Sequence, residues 1–318
     1  MTDDVVLLTV AISTRDRPQA LARCLESLLA GETRPAEIVI VDQSRDRSTE
    51  DVAEATRGKG VDVVYVRHAG SGLGASQNTG VAHARHAVVA VTDDDCVVDP
   101  QWLCVATRAF GGPQSVELLT GRVLPLGPET VGLYPVSSRT SAVPRQLGRN
   151  AMPWDVGSGN NFAVTREAFL AIGGNDERLG PGSPGQGGVD MDLFYRLLRA
   201  GARARYDPAS VVFHERATRA ARLGRRWPYG FGMGACCALR YAEGDRRALW
   251  MLARWLLFRT RRFARAVRSL DRNLAREEIL VLRGTLAGYR YGYRCLGVNP
   301  SRGKAARCSA SARGSEDR

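Results

Sequence analysis

Residues 87–100 have the sequence AVVAVTDDDCVVDP, in which an apolar run leads directly into three consecutive aspartates. The run Ala87–Thr92 has the length and the β-branched content of a buried strand. Asp93, Asp94 and Asp95 follow at the carboxyl end of that strand. The segment therefore predicts a buried strand that ends in a dense group of carboxylates.

Upstream of this segment, apolar runs alternate with helical patterns. Pro18 is well placed to begin a helix, whose apolar residues recur at helical spacing until Gly31, and Ala75–His86 predicts a second helix. Three further apolar runs predict strands: Val5–Ile12, Glu37–Val41 and Val61–Val66. This alternation predicts an α/β fold with a doubly wound, mainly parallel sheet, whose ligands bind beyond the carboxyl ends of the strands.

Polar residues follow each of the four predicted strands. Asp16 follows the first strand, Asp42 ends the second, and the glycine-rich segment Gly70–Gly74 follows the third. The three aspartates end the fourth. Because the carboxyl ends of parallel strands lie along one edge of a sheet, we expect these groups to converge on one polar crevice.

Beyond Pro100 the pattern is weaker. Residues 111–150 are rich in Gly, Pro, Ser and Thr, and they predict strands and loops that cross the sheet. Helices are predicted over Thr165–Ala171 and from about Met191 to Ala200. The loop between them, GGNDERLGPGSPGQGG, contains seven glycines and is a candidate for a mobile lid.

The net charge of +12 is unevenly distributed along the 318 residues. Residues 1–215 carry 21 basic and 26 acidic side chains, a net charge of −5, whereas residues 216–318 carry 24 and 7, a net charge of +17. The excess positive charge belongs to the C-terminal third. We predict a main domain over residues 1–216, a basic helical region over 217–298 and a disordered tail over 299–318.

The basic region has the pattern of one long amphipathic helix, or of two helices in line. Its apolar residues fall on one helical face: Leu249, Leu252, Leu256, Phe263, Val267, Leu270 and Leu274. Its arginines fall on the opposite face: Arg247, Arg254, Arg261, Arg265, Arg268 and Arg272. The apolar stretch Leu249–Phe258 is interrupted by Arg254 and is shorter than the roughly 20 residues that cross a bilayer.

The N-terminal sequence and the spacing of the cysteines indicate the cellular compartment in which the protein is found. The opening sequence MTDDVVLLTVAIS has no basic segment and no small-residue cleavage site, so we expect no secretory signal and a cytosolic protein. The seven cysteines are scattered without a CxxC pair. This spacing supports neither a disulfide framework nor a structural zinc site.

The acidic residues within the first hundred positions suggest binding chemistry. Asp93 and Asp95, two apart at a strand end, can present oxygens to a ribose and to a hard divalent cation that bridges two phosphates. The alternative is a solvated acidic turn or a helix N-cap. Asp42 can accept hydrogen bonds from a nucleotide base or can simply form a turn. Asn78, in the glycine-rich segment Gly70–Gly80, can anchor a phosphate near the backbone, although such a loop alone is weak support.

The second half offers candidates for a base, a metal ligand and an acceptor site. Asp190 can take a proton from a hydroxyl group, or it can serve only as a helix N-cap. His214, in VVFHE, can add an imidazole to a metal, or it can be a packed side chain. Trp154, Asn160 and Asn161 can line an acceptor site, with loop packing as the alternative.

The order of these motifs resembles the family 2 glycosyltransferases, which have the GT-A fold, over about residues 4–216. The segments that carry the resemblance are VAISTRDRP, VDQSRDRST, GLGASQNTG, the DxD segment TDDDCVVDP, GSGNNFAVTREAFLAIGGNDERLG, GGVDMDLFYRLLRAG and VVFHE. The resemblance implies a nucleotide-sugar half over about residues 1–100 and an acceptor half over about residues 101–216. It also implies transfer with inversion at the anomeric carbon.

Carried over by position, the resemblance implies that Asp16 and Asp42 contact the nucleotide, Asp93 the ribose or its neighbourhood, and Asp95 the metal, Mn²⁺ or Mg²⁺, and that Asp190 acts as the base. His214 is predicted from its own position as a second metal ligand. Thr14, Asn78 and Asp94 complete the predicted nucleotide-sugar-binding residues. Two positions depart from the family pattern: Val189 stands where a Glu is usual, and Gln77 where an Arg is common.

We therefore predict an inverting, metal-dependent glycosyltransferase that moves a hexose-type sugar to a hydroxyl group of a saccharide, lipid-linked or secondary-metabolite acceptor. One alternative is a sugar-phosphate nucleotidyltransferase, although no basic glycine-rich triphosphate signature is found near the N-terminus. Another is a non-enzymatic protein whose basic region binds nucleic acid or an anionic membrane surface. We expect membrane rather than nucleic-acid binding, peripheral on the inner face of the cell membrane. The alternative is that the leucine face of the basic region packs on the main domain and the arginine face is solvated.

Overall fold

The computed structural model describes residues 6–112 and 114–296. Its strands are β1 (Leu8–Thr14), β2 (Glu37–Asp42), β3 (Asp62–Arg67), β4 (Val88–Asp93), β5 (Cys96–Val98), β6 (Leu118–Pro125), β7 (Leu133–Tyr134), β8 (Arg145–Leu147), β9 (Asn161–Thr165), β10 (Ala204–His214) and β11 (Ala217–Thr218). Its helices are α1 (Pro18–Leu29), α2 (Ser48–Glu54), α3 (Leu73–His83), α4 (Trp102–Gly111), α5 (Pro153–Val156), α6 (Arg166–Ala171), α7 (Val189–Ala200), α8 (Arg219–Gly224), α9 (Arg226–Ala242), α10 (Arg247–Arg268) and α11 (Arg272–Tyr291). A π-helical turn, Gly292–Leu296, follows α11.

In the described part of the chain, nine strands form one sheet in the order β3-β2-β1-β4-β9-β6-β10-β5, with β8 beside β10. The first four strands are mutually parallel. Strand β9 runs antiparallel to β4 and to β6, and β10 is parallel to β6. As a result β1, β4, β6 and β10 all point the same way. The predicted α/β fold with a mainly parallel sheet is confirmed.

Both faces of the sheet are covered. Because successive side chains of a strand point to opposite faces, Val10 and Ile12 of β1 enter the core beneath α1 and α4, whereas Ala11 enters the core beneath α6 and α7. Leu25 of α1 and Phe194 of α7 are fully buried in these two cores. Burial of each such side chain contributes on the order of 2 kcal/mol to stability.

The region beyond residue 100 contains more regular structure than its composition indicates. Helix α4 lies within it, and the long strand β10 includes the first four residues of the VVFHE segment and ends at His214. A bulge in β10 brings Ser210 against β6, where a Cβ at Gly121 would lie 2.0 Å from the Ser210 carbonyl oxygen. Glycine is therefore required at residue 121.

The chain divides into two compact units, one made of Met1–Glu177 and Val189–Arg222, the other of Arg178–Gly188 and Leu223–Arg318. Within the second unit, the loop Arg178–Gly188 packs on α9: a Cβ at Gly187 would lie 2.8 Å from the Pro228 carbonyl oxygen. The mobility of this loop stays a prediction, as do the domain boundaries at residues 216 and 298. The predicted disordered tail, residues 299–318, lies outside the described residues.

The second unit is built on helices α9, α10 and α11. Helices α9 and α11 are in backbone contact, since a Cβ at Gly288 would lie 1.9 Å from the Phe231 carbonyl oxygen. Trp255 of α10 donates a hydrogen bond from Nε1 to Oγ1 of Thr285 in α11, at 3.0 Å. Because these two helices lie side by side, the prediction of a single helix or of two in line is wrong.

The buried face of α10 also differs from the predicted leucine face. Its buried residues are Ala248, Met251, Trp255, Arg259 and Ala266. Leu249 and Val267, from the predicted apolar face, are 39% and 51% exposed. Arg259 can be buried because it pairs with the buried Glu278 and lies 4.5 Å from the centre of the Trp255 ring. No helix in the described residues is long and apolar enough to cross a membrane.

Candidate active site

The carboxyl ends of β1 and β4 bring the first group of predicted residues together. The register of the two strands pairs Ser13 with Asp93, so that the residues following each strand are neighbours. Thr14 Oγ1 donates a hydrogen bond to Asp94 Oδ2 at 2.8 Å. Arg17 Nη1 lies 3.1 Å from Asp94 Oδ1 and 3.0 Å from Asp95 Oδ2. The arginine thus bridges two of the three aspartates.

Asp93, Asp94 and Asp95 form an acidic cluster with unfavourable internal electrostatics. Burial raises the pKa of Asp93 to about 8, and the nearby charges of Asp95 and Asp94 add to this effect. Burial also raises the pKa of Asp94, against the opposing charge of Arg17. A cluster of this kind is stabilised by any cation that approaches it.

His214 faces this cluster from the end of β10. Its Nε2 atom lies 3.4 Å from Asp95 Oδ1, and its Nδ1 atom lies 2.7 Å from the carbonyl oxygen of Glu215. Because a carbonyl oxygen only accepts hydrogen bonds, Nδ1 carries a proton, and in the neutral ring the lone pair of Nε2 points toward Asp95. Strand β10 is parallel to β6 and hence to β4, so the carboxyl ends of β4 and β10 lie at the same edge of the sheet.

The residues present fit a divalent metal ion. Ligand atoms of Asp95, Cys96 and His214 lie within 4.8 Å of one another. Burial raises the pKa of the Cys96 thiol well above its usual value, and sulfur is a soft donor that Mn²⁺ and Mg²⁺ do not prefer. Beside it, Oδ1 of the buried Asn160 has no hydrogen-bond partner among the described residues. The oxygen and nitrogen donors of Asp95 and His214 suit Mn²⁺ or Mg²⁺.

Asp16 and Asp42 lie at the ends of neighbouring strands, but their carboxylates brace loops. Asp16, exposed and with a φ of 54°, accepts a hydrogen bond from the Arg45 amide at 2.9 Å. Asp42 is fully buried and accepts hydrogen bonds from the Ser44 amide and the Tyr65 hydroxyl. These two carboxylates shape the loops that flank the acidic cluster.

Asn78 and the two departures from the family pattern lie together on another side of the site. The Asn78 amide donates to the Asn175 carbonyl oxygen at 3.1 Å and accepts from the Asn175 amide at 2.7 Å. Gln77 accepts a hydrogen bond from the Asn175 side chain at 2.9 Å. Val189 is buried against Gly74. The described contacts place Asn78 at the turn after α6 rather than at the acidic cluster.

Asp190 lies in the first turn of α7. Its Oδ2 atom accepts a hydrogen bond from the Gly159 amide at 3.1 Å, and its Oδ1 atom accepts one from the Met191 amide at 2.9 Å. Burial raises its pKa, and these two hydrogen bonds oppose the rise. The charge of Asp190 also contributes to the raised pKa of Asp93, so the two carboxylates lie within electrostatic range. A half-buried carboxylate in this position can accept a proton.

The three predicted acceptor residues have different surroundings. Trp154 is buried in α5, which packs against α7. Asn161 is also buried, and its amide is fully engaged: Oδ1 accepts from Trp102 Nε1, and Nδ2 donates to the carbonyl oxygens of Arg122 and Ser210. This geometry gives Asn161 a structural role at the β10 bulge. Asn160 retains the unpartnered oxygen beside Cys96.

Two residues at the site carried no signal in the sequence. Arg17 is an exposed residue just before α1. Its contacts with Asp94 and Asp95 join parts of the chain that are more than seventy residues apart in sequence. Arg139 donates from Nε to the Gly157 carbonyl oxygen at 3.0 Å, and its charge lowers the pKa of Asp190. Neither follows a periodic pattern, and both depend on tertiary contacts.

Comparison with known sequences identifies relatives. Residues 9–124 match the model of glycosyl transferase family 2. The chain is 28% identical over 256 residues to the pre-mycofactocin glycosyltransferase of Mycobacterium tuberculosis, covering 74% of this chain and 48% of the relative. It is 25% identical over 224 residues to the validoxylamine A glucosyltransferase of Streptomyces hygroscopicus subsp. limoneus, covering 62% and 49%. The chain spans about half the length of these curated relatives.

Solved structures share the fold. S. aureus TarS matches with a TM-score of 0.59 at 16% identity, over 81% of this chain and 44% of TarS. The mannosyltransferase PcManGT from Pyrobaculum calidifontis, in complex with GDP-Man and Mn²⁺, matches with a TM-score of 0.59 at 14% identity, over 88% and 86%. The common architecture is the GT-A type of α/β fold.

Proposed function

We propose that the chain is a glycosyltransferase of family 2, whose model matches residues 9–124, and that it transfers a hexose-type sugar from a nucleoside-diphosphate sugar to a hydroxyl group of an acceptor. The observation that carries the proposal is the pairing of His214 with Asp95 of the acidic cluster. This pair lies where strands β4 and β10 end, the edge at which α/β sheets bind ligands.

The donor half is assigned to the residues around the acidic cluster. Asp95 and His214 would hold Mn²⁺ or Mg²⁺, which when bound neutralises charge on a diphosphate leaving group. Five of the residues assigned to the nucleotide sugar lie at the cluster or in its flanking loops: Thr14, Asp16, Asp42, Asp93 and Asp94. Asn78, at the turn after α6, is assigned to the part of the nucleotide sugar that extends away from the cluster. The Mn²⁺ and GDP-Man in the PcManGT complex, and the UDP-GlcNAc in a TarS complex, support a donor of this class.

The acceptor half is assigned to Asp190 and its surroundings. The acceptor oxygen attacks the anomeric carbon, the bond from that carbon to the diphosphate breaks, and the proton of the hydroxyl passes to Asp190. This direct displacement inverts the configuration. Asp190 suits the role because it is half-buried with a raised pKa and lies within electrostatic range of Asp93. Of the three residues predicted to bind the acceptor, Trp154 and Asn160 keep that assignment, whereas Asn161 supports the site through the β10 bulge.

The names of the relatives support particular classes of acceptor. One relative is named for validoxylamine A and another for pre-mycofactocin, which supports a small-molecule acceptor. A third, from Haloferax volcanii, is named a glucosyl-dolichyl phosphate glucuronosyltransferase, which supports a lipid-linked saccharide. We propose an acceptor from among the saccharide, lipid-linked and small-molecule classes.

The experiment that tests this function uses purified protein with UDP-, GDP- and dTDP-hexoses and Mn²⁺. One donor is expected to raise the melting temperature and to release nucleoside diphosphate slowly, even to water. Asp95→Asn should lose both effects, whereas Asp51→Asn, on the exposed side of α2, should keep them. Pyrophosphate release from a nucleoside triphosphate with a sugar phosphate would instead establish the nucleotidyltransferase alternative.

We also propose that the basic helix α10 binds an anionic membrane surface from a cytosolic, peripheral position. Trp250 and Leu257 of this helix are each 45% exposed. The guanidinium carbons of Arg247 and Arg254 lie 5.1 and 5.3 Å from the centre of the Trp250 ring. An exposed aromatic and aliphatic stripe flanked by arginines suits the interface of a bilayer with anionic headgroups.

Liposome flotation tests this surface. Binding is expected with vesicles that contain anionic phosphatidylglycerol and not with neutral phosphatidylcholine vesicles. The double variant Trp250→Ala/Leu257→Ala should reduce flotation, whereas Leu170→Ala, which removes an exposed leucine of α6, should not. Binding to DNA with a steep salt dependence and no flotation would favour the nucleic-acid alternative.

A further inference from the structure

A polar cavity of about 230 Å³ lies in the first unit, between the segment after β7, helix α5 and strand β10. Its lining includes Arg139, Ser141, Arg145, Asp155, Gly157 and Tyr206. This volume is smaller than the roughly 300–1,000 Å³ of sites that enclose drug-sized ligands, and it suits one sugar unit or one charged group. None of the roles assigned above uses the cavity.

The cavity has an excess of positive charge. Two arginines and one aspartate line it. The Arg145 guanidinium carbon lies 4.9 Å from the centre of the Tyr206 ring, and its Nε atom is buried without a hydrogen-bond partner in the described ranges. No ion pair is found for Arg145 among the described residues. A guanidinium that is held in place and not neutralised is a ready partner for a planar or tetrahedral anion.

The neighbouring groups fix the two arginines. Tyr206 donates a hydrogen bond from its hydroxyl group to the Ser141 carbonyl oxygen at 2.8 Å, which orients the ring under Arg145. Arg139 Nε donates to the Gly157 carbonyl oxygen at 3.0 Å. Burial raises the pKa of Tyr206, and the positive charges of Arg145, Arg122 and Arg139 oppose the rise. The electrostatic potential around the Tyr206 ring is therefore positive.

The cavity adjoins the proposed base. Gly157 lines it, and Gly159, two residues further along the chain, donates its amide hydrogen to Asp190. Arg139 is close enough to Asp190 for its charge to lower the pKa of that carboxyl group. Residues 157–159 therefore connect the cavity wall to Asp190.

We propose that this cavity is an acceptor subsite that binds an anionic group of the acceptor, a phosphate or a carboxylate, through Arg145 and Arg139. The inference rests on the proposed function, because it places the acceptor hydroxyl beside Asp190. The anion fixes the position of the acceptor and takes no part in bond making. The arginine field selects charged acceptors over neutral ones of the same size.

The test measures binding to the whole chain by calorimetry, with EDTA present and without nucleotide. The probes are glucose 6-phosphate, glucuronate, farnesyl phosphate and uncharged glucose. The charged probes are expected to bind at least about tenfold more tightly than glucose, the effect of a hydrogen bond to a charged group. Whichever anion binds best identifies the source of the charge, and a preference for any of them supports the proposal. Equal affinity for glucose would overturn it.

Variants locate the binding. Arg145→Gln and Arg139→Gln should each weaken the charged probe about tenfold or more, and Arg145→Lys should weaken it less because the charge remains. Arg57→Gln removes an exposed arginine paired with Glu54 and should change nothing. If Arg17→Gln abolishes binding and Arg145→Gln does not, the anion binds at the acidic cluster and the proposal is wrong.

Two controls keep the outcomes separate. Circular dichroism and melting temperature show whether Arg145→Gln is folded, and if it is not, Arg145→Lys and Arg139→Gln carry the test. Nucleotide-sugar binding with Mn²⁺ is measured on the same samples. Wild-type protein that binds the nucleotide sugar but shows no selectivity for charged probes overturns only the subsite, whereas wild-type protein that binds no nucleotide sugar counts against the proposed function.

Discussion

His214 Nε2 lies 3.4 Å from Asp95 Oδ1, and the proton on His214 Nδ1 is held by the Glu215 carbonyl oxygen. The two side chains are brought together by strand direction rather than by sequence proximity. Their donor atoms, one carboxylate oxygen and one imidazole nitrogen, make this pair the proposed holder of the metal ion.

Substitution of His214 tests that assignment. His214→Gln is expected to weaken Mn²⁺ binding by at least about tenfold, because an imidazole ligand is removed while the strand end is kept. Titration of Mn²⁺ followed by electron paramagnetic resonance, without nucleotide, measures the change. His83→Gln, on the exposed end of α3, is the matched control. An unchanged Mn²⁺ affinity in His214→Gln would exclude the histidine as a ligand.

Arg17 is expected to compete with the metal. Its guanidinium bridges Asp94 and Asp95 and so partly neutralises the oxygens that a cation would approach. Arg17→Gln should therefore bind Mn²⁺ several-fold more tightly than the wild-type protein, since no positive charge has to be displaced. The Mn²⁺ titration described for His214→Gln measures this change in affinity, with Arg15→Gln as the control. Weaker Mn²⁺ binding would show that Arg17 orders the site instead of opposing the metal.

Asp93 is expected to make metal-free stability depend on pH. Its pKa is raised to about 8 in the folded chain, whereas an unfolded Asp has a pKa of about 3.9. Between these values the unfolded state loses its proton and the folded state keeps it, so wild-type stability falls as pH rises and levels off above about pH 8. The Asp93→Asn variant has no carboxyl group at this position, so its stability does not fall with rising pH for this reason.

Chemical denaturation in EDTA from pH 5 to pH 9 measures the effect. The advantage of Asp93→Asn over wild type should grow with pH, to about 2 kcal/mol or more near pH 8, and then stay constant. Asp51→Asn, exposed on α2, should show no such trend. An advantage that is independent of pH would contradict the raised pKa of Asp93.

Gly288 is expected to be indispensable for the helical unit. A Cβ there would lie 1.9 Å from the Phe231 carbonyl oxygen, so alanine must separate α11 from α9. Gly288→Ala should lower the free energy of unfolding by about 2 kcal/mol or more. Gly224→Ala, in the same unit and with open space around its Cβ, is the control. Equal melting temperatures for the two variants would argue against the close contact of α9 with α11.

The fold was predictable in its N-terminal half because each strand there is a short apolar run bounded by Gly, Pro or polar residues. Strand β4 is the clearest case, because its buried apolar residues and the aspartates that follow them lie in one continuous segment of sequence. Helix α4 was not predicted. The buried face of α10 was not predictable either, because Arg259 is buried through its contacts with Glu278 and Trp255, and periodicity treats any arginine as exposed.

The site was predictable where a residue type follows a strand, and not where its role depends on a distant partner. Asp190 has a recognisable position at the start of a helix. Arg17 and Arg139 make contacts far along the chain, and nothing around them in the sequence distinguishes them from surface arginines. Asn161 shows the opposite case: its sequence position suggested a ligand contact, whereas its amide is engaged by Trp102, Arg122 and Ser210.

The most direct test compares the rate of nucleoside diphosphate release by wild-type protein and Asp190→Asn, with Mn²⁺, the donor found by thermal shift and each candidate acceptor class in turn. Asp190→Asn is expected to slow the acceptor-dependent part of this release by about 10²–10⁴-fold while donor affinity stays within about twofold. Because burial raises the pKa of Asp190, the wild-type rate should fall with decreasing pH at a higher pH than an ordinary Asp would give. An Asp190→Asn protein that transfers sugar at the wild-type rate would contradict the account.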